Sequence, residues 1–88
     1  MKQHITKEQS FEIDSKVLEK TFGSKIVNIG QMIQFLGDDI LMITNNVKQA
    51  KKYLVFTILV NFKRIFYNEE LADALWEATK YKLKNPQK

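Results

Sequence analysis

Asp73 and Glu77 stand four residues apart, a spacing that sets two carboxylates on one face of a helix. Paired carboxylates do general acid–base work when their surroundings push the two pKa values apart. Here both fall on the arc opposite an apolar stripe, together with Lys80, so the expectation is a solvated face. Asp38-Asp39 offers oxygens to a hard cation, but such sites take about six or more oxygens. No spaced acidic loop follows, and a turn is the plainer reading. The chain has no cysteine, which excludes disulfides, thiolate zinc sites, Fe–S clusters and a thiol nucleophile. Its one histidine, His4, lies near the N-terminus, so a Ser-His-Asp triad or a two-His metal site is not expected. No glycine-rich phosphate loop or nucleophile elbow is present. These residues point to a protein that is not an enzyme and uses no cofactor or metal.

Binding chemistry has more to work with. Tyr53, Phe56, Phe62, Phe66 and Tyr67 are interleaved with Lys51, Lys52, Lys63 and Arg64, the basic–aromatic mixture of single-strand nucleic-acid platforms. The alternative is a strand whose alternate aromatics enter a core. Residues 1–47 hold five lysines against six acids, whereas residues 48–88 hold nine basic groups against four acids. Lys80, Lys82, Lys84 and Lys88 make the C-terminus basic, either as a docking tail or as a solvated helix end. Arg64 is the only arginine among fourteen basic residues, which counts against base-edge reading. The interaction candidates are therefore Lys51, Lys52, Lys63, Arg64, Tyr67, Lys82 and Lys84.

These residues need elements to position them. Thr6 and Gln9 have capping-box spacing, which predicts a short helix from Lys7 with Phe11 as its inward anchor. Ser15–Phe22 is a second helix, with Leu18 and Phe22 on one face and Gly23 as its stop. Ile29, Met32, Ile33 and Leu36 form the stripe of a third, stopped by Gly37. Gly30 inside its first turn marks either a close packing contact or a tolerated glycine. The last helix spans Asn68–Leu83, with Asn68 as N-cap and Leu71, Leu75 and Trp76 facing inward. Trp76 is read as core rather than as an interface anchor. The core anchors are Ile29, Met32, Ile33, Leu36, Leu71, Leu75 and Trp76.

The middle admits two readings. Ile40–Thr44, Tyr53–Val60 and Arg64–Tyr67 are rich in β-branched and aromatic residues and read as strands. Ile40, Ile43, Val47, Ala50, Leu54 and Ile58 also match the period of one long helix. The weak helix propensity of YLVFTILV favours strands. The expected fold is α+β: short N-terminal helices, a small antiparallel sheet and a long C-terminal helix, the alternative being all-α with a long central helix. At 88 residues this is a single domain, 1–88, with 1–5 and 84–88 as flexible tails. Tyr53–Val60, the longest apolar stretch, is far shorter than the roughly 20 residues of a membrane helix. No targeting segment is expected, because the N-terminus lacks an apolar h-region.

Ile5–Gln9 (ITKEQ), Ile29–Leu36 (IGQMIQFL) and Leu71–Leu83 (LADALWEATKYKL) together resemble a group of small proteins encoded by phages and prophages of Firmicutes. That group shows an ITxEQ start, an IGQMIEFL block and a closing LxDALWEAxKxxL block. The agreement covers about 26 of the 88 residues. Between the blocks this chain is shorter and richer in lysine than usual members. The resemblance implies an accessory protein of a phage or mobile element acting in the bacterial host cytoplasm. It carries no activity onto particular residues. The resulting expectation is non-catalytic binding that modulates or inhibits a bacterial host protein such as a defence nuclease, a CRISPR effector included. A DNA mimic would be acidic, and this chain is not. The alternatives are a nucleic-acid-binding regulator using the basic C-terminal half, and a phage structural or assembly component marked by self-association.

Overall fold

The computed structural model describes residues 2–46, 52–59 and 61–85. Four helices and three strands follow in the order α1 (Lys7–Ser10), α2 (Ser15–Phe22), α3 (Ile29–Leu36), β1 (Ile40–Asn46), β2 (Lys52–Leu59), β3 (Phe62–Asn68) and α4 (Leu71–Lys84), with a 3₁₀ turn at Gly37–Asp39. The expected α+β architecture is found, and the long central helix is not.

Local chemistry explains most boundaries. Thr6 and Gln9 close a full capping box on α1, and Asn28 and Gln31 close another on α3. The α2 helix stops at Gly23, whose φ of 74° is the left-handed conformation glycine adopts without strain. Gly30 makes no close packing contact, since a Cβ there would meet only the capping oxygen of Asn28, at 3.4 Å. Leu59 pairs directly with Phe62 across β2 and β3, and Asn61 takes φ 66°. The three strands form an antiparallel sheet in the order β1-β2-β3, with a register irregularity between Ile40 and Met42.

The α4 helix lies between the sheet and the N-terminal layer. It packs on β2 and β3 on one side and on α3 on another. Ala72, Ala74, Leu75, Trp76, Ala78 and Thr79 are all buried, and the alanines let neighbouring backbones approach. Met32, Leu36, Val55 and Leu59 complete the centre, with Ile5, Leu18 and Val27 beneath it.

Several sequence-based expectations are corrected. Residues 2–5 are not a loose tail: Ile5 is fully buried, its N–H donates to the Val27 carbonyl at 3.0 Å, and His4 bridges Asn28. Phe11 is not an inward anchor but 73% exposed, because α1 ends after one turn and Ile13 enters the core instead. Ile33 is exposed on the outer edge of the α3 stripe, while Met32 and Leu36 are buried and Ile29 packs from the side. Asn68 ends β3 rather than capping α4. The N-cap is Glu70, and the Asn68 side-chain oxygen accepts from the Glu70 N–H. Lys84 closes α4 instead of beginning a tail.

Candidate interaction surface

Alternation along the strands divides the sheet into two faces. Val55, Thr57 and Leu59 are buried toward α4, and their cross-strand partners Ile43, Phe66 and Arg64 share that side. The opposite face carries Met42, Phe56 and Ile65 as one cross-strand row and Thr44, Leu54 and Tyr67 as the next. Ile58 opposite Lys63 extends it. Met42, Ile65 and Tyr67 are 52, 54 and 60% exposed. The helices that pack on the sheet meet its other side, so this apolar face stays open among the described residues.

Its electrostatics are one-signed. From Ile40 to Asn68 the sequence contains no acid and five basic residues. The Lys52 ammonium sits 5.1 Å from the centre of the Tyr67 ring, and Lys63 is exposed on the same face as Ile58. The surface is thus a hydrophobic platform with lysines on it.

The interaction candidates do not form one surface. Lys52 and Tyr67 meet on the outer face, and Lys63 shares that face toward its other end, opposite Ile58. Arg64 does not join them, because its guanidinium stacks 4.3 Å from the centre of the Tyr81 ring on the helix side. Lys82 is held within the fold: it donates to the Phe35 carbonyl at 2.9 Å and pairs with Asp39 at 2.8 Å. Lys84 is exposed at the helix end, where its charge helps hold the Glu12 carboxyl down. Lys51 and Lys88 lie outside the described residues. The proposed basic tail is therefore broken up, with Lys80 and Lys82 both engaged in the fold.

The carboxylates are likewise structural. Asp73 is not on a solvated face: it takes the Lys2 ammonium at 2.6 Å and the Gln9 amide at 2.8 Å. Burial pushes its pKa up, but those two hydrogen bonds and the Lys2 charge together hold it below the usual range. Lys80, expected on the same solvated arc, bonds Glu12 at 2.6 Å and Glu77 at 3.0 Å. The hydrogen bond from Lys80 is the main cause that lowers Glu12, aided by the Trp76 indole N–H, 3.2 Å away. Burial lowers Lys80, and its bonds to Glu12 and Glu77 reverse that to a net rise. A cleft of about 380 Å³ beside Phe11 includes Glu12 and Asp14, but Asp14 caps α2 and Glu12 serves Lys80 and Trp76. Asp38-Asp39 forms the expected turn, and no metal-ligating cluster occurs among the described residues.

Leu54, Ile58, Ile65 and Met42 were not singled out as surface residues by their sequence. The available signal is YLVFTILV itself: a strand with one wet face alternates, whereas this one is apolar on both. No known protein family, no curated protein and no solved structure matches the chain.

Proposed function

We propose that the protein acts by non-catalytic protein–protein binding, with the outer sheet face as its contact surface. The uncovered row Met42–Phe56–Ile65, continued by Leu54–Tyr67, carries this reading. Contiguous apolar area kept in water has no folding benefit, and contact sites are where proteins retain it. Lys52 and Lys63 suit a partner with an apolar patch and acidic groups around it, since rim charges steer encounter and reject like-charged surfaces. The resemblance to phage-encoded proteins supports a bacterial host protein as the partner, a defence nuclease or CRISPR effector among them, bound in the host cytoplasm so as to modulate or inhibit it. Glu12, Asp39, Asp73 and Glu77 are committed to ion pairs and Asp14 to a helix cap, which supports action by occupancy rather than by catalysis.

A second reading rests on Phe56 and Tyr67 sharing this face with Lys52 and Lys63, an arrangement suited to stacking bases of a single strand. Capture from a nuclease-treated host lysate separates the two. The binding reading expects one host protein retained by the wild type and lost with Ile65→Glu. Retention that disappears with nuclease, or micromolar binding of single-stranded DNA with a steep salt slope, favours the second.

A further inference from the structure

The two edges of the sheet are built differently. The β3 edge carries Lys63 and Arg64, the kind of charge that blocks strand-to-strand pairing. The β1 edge, Ile-Leu-Met-Ile-Thr-Asn-Asn, has no charge, no proline and no glycine. It pairs with β2 on one side, and among the described residues no strand lies on its other side. The register irregularity between Ile40 and Met42 protects only the start of the strand. Met42 to Asn46 then runs in unbroken register with β2, leaving backbone groups along a regular edge. Asp39, the nearest acid before it, is bound to Lys82.

We propose that this edge pairs with the same edge of a second copy of the chain, antiparallel about a two-fold axis, to make one six-stranded sheet. An antiparallel strand pair between identical edges is isologous and closes as a dimer. The regular segment is symmetric about Thr44, so the axis passes there and sets Thr44 against Thr44 of the second copy. Threonine pairs are favourable across strands, and no like charges are opposed at this edge. Self-pairing of β3 would instead bring Lys63 and Arg64 of both copies into the seam. Because Thr44 and Met42 lie on the outer face, pairing joins the two apolar platforms side by side. Leu41 and Met42, both more than half exposed, extend the contact. So short an edge falls below the standard interface of about 800 Å² per partner, which makes the dimer reversible rather than permanent.

Sedimentation velocity on the purified full chain tests this, from about 10 to about 500 µM, a span that covers a weak, micromolar dissociation constant. The wild type should move from the 10.4 kDa species toward twice that mass as concentration rises. Thr44→Lys should stay monomeric across the range with unchanged circular dichroism. The chain has no cysteine, so Thr44→Cys gives a single thiol that should form a disulfide-linked dimer on mild oxidation, while Lys63→Cys on the other edge should not. A wild type that remains at 10.4 kDa throughout overturns the proposal, as does a dimer that forms equally with Thr44→Lys. If Thr44→Lys does not fold, crosslinking decides: equal yields from Thr44→Cys and Lys63→Cys overturn the β1 pairing. Only the purified chain is used, so failure here leaves capture of a host protein by the outer face standing.

Discussion

The two faces of one sheet meet opposite fates. Val55, Thr57 and Leu59 vanish beneath α4, while Met42, Ile65 and Tyr67 on the other side stay more than half exposed. Both sets are large and mostly apolar, so hydrophobicity alone does not decide burial. Coverage does: α4, the one long helix among the described residues, packs on one face. The inner face is the fold, where loss of packing is a loss of stability. The outer face is surface that the fold does not consume, and that asymmetry is what supports a role in binding.

The largest expected effect lies on the buried side. Trp76 is fully enclosed, and Trp76→Ala should destabilise by about 3–5 kcal/mol in urea unfolding. An unchanged melting temperature would move Trp76 out of the core and remove the contrast between the two faces.

The N-terminal pin comes next. Asp73 has a folded pKa below its unfolded value, so its pairing with Lys2 and Gln9 stabilises above the unfolded pKa of about 3.9 and is lost as pH falls through the lower folded value. Glu12 acts in the same direction. Stability should therefore drop on acidification below about pH 4, the ordinary carboxylate range. Asp73→Asn should be less stable than the wild type at pH 7 and converge with it near pH 2. Parallel melting curves across that range would show that the pin does not matter.

Lys82 and Lys84 sharpen the point that equal charges are not equal in role. Lys82→Gln loses a bond to the Phe35 carbonyl, the Asp39 pair and the cation held 4.7 Å from the Phe35 ring centre, and should cost about 1–2 kcal/mol. Lys84→Gln should change stability by less than about 0.5 kcal/mol. A smaller effect still is expected at Thr79, whose buried hydroxyl has no hydrogen-bond partner among the described residues. Thr79→Val keeps the shape and removes that polar group, so the melting temperature should stay level or rise slightly.

Local signals in the sequence were enough for α2, α3 and the strands: Gly23 and Gly37 end helices, and the β-branched run at Tyr53–Val60 resists helix. What escaped depended on distance in the chain. Phe11 looks inward by spacing, but the turn after Ser10 points it away. Asp73 and Lys80 look solvated on a helical wheel, yet Lys2, Gln9 and Glu12 arrive from more than sixty residues earlier to cover them. The wheel sees one helix, while α4 is enclosed from two sides. Tyr67, Lys52 and Lys63 were legible as a basic–aromatic cluster. Met42, Leu54 and Ile65 became part of that surface only once the helices were known to leave one face bare.

The central claim is that the outer face contributes to contact and not to folding. Urea unfolding of the double substitution Met42→Gln/Ile65→Gln tests it most directly. Both side chains are half in water, so the unfolding free energy should stay within about 1 kcal/mol of the wild type, the sum of two ordinary surface changes. A loss of about 3 kcal/mol or more, on the scale of a truncated core residue, would contradict the account and place this face in the core of the fold.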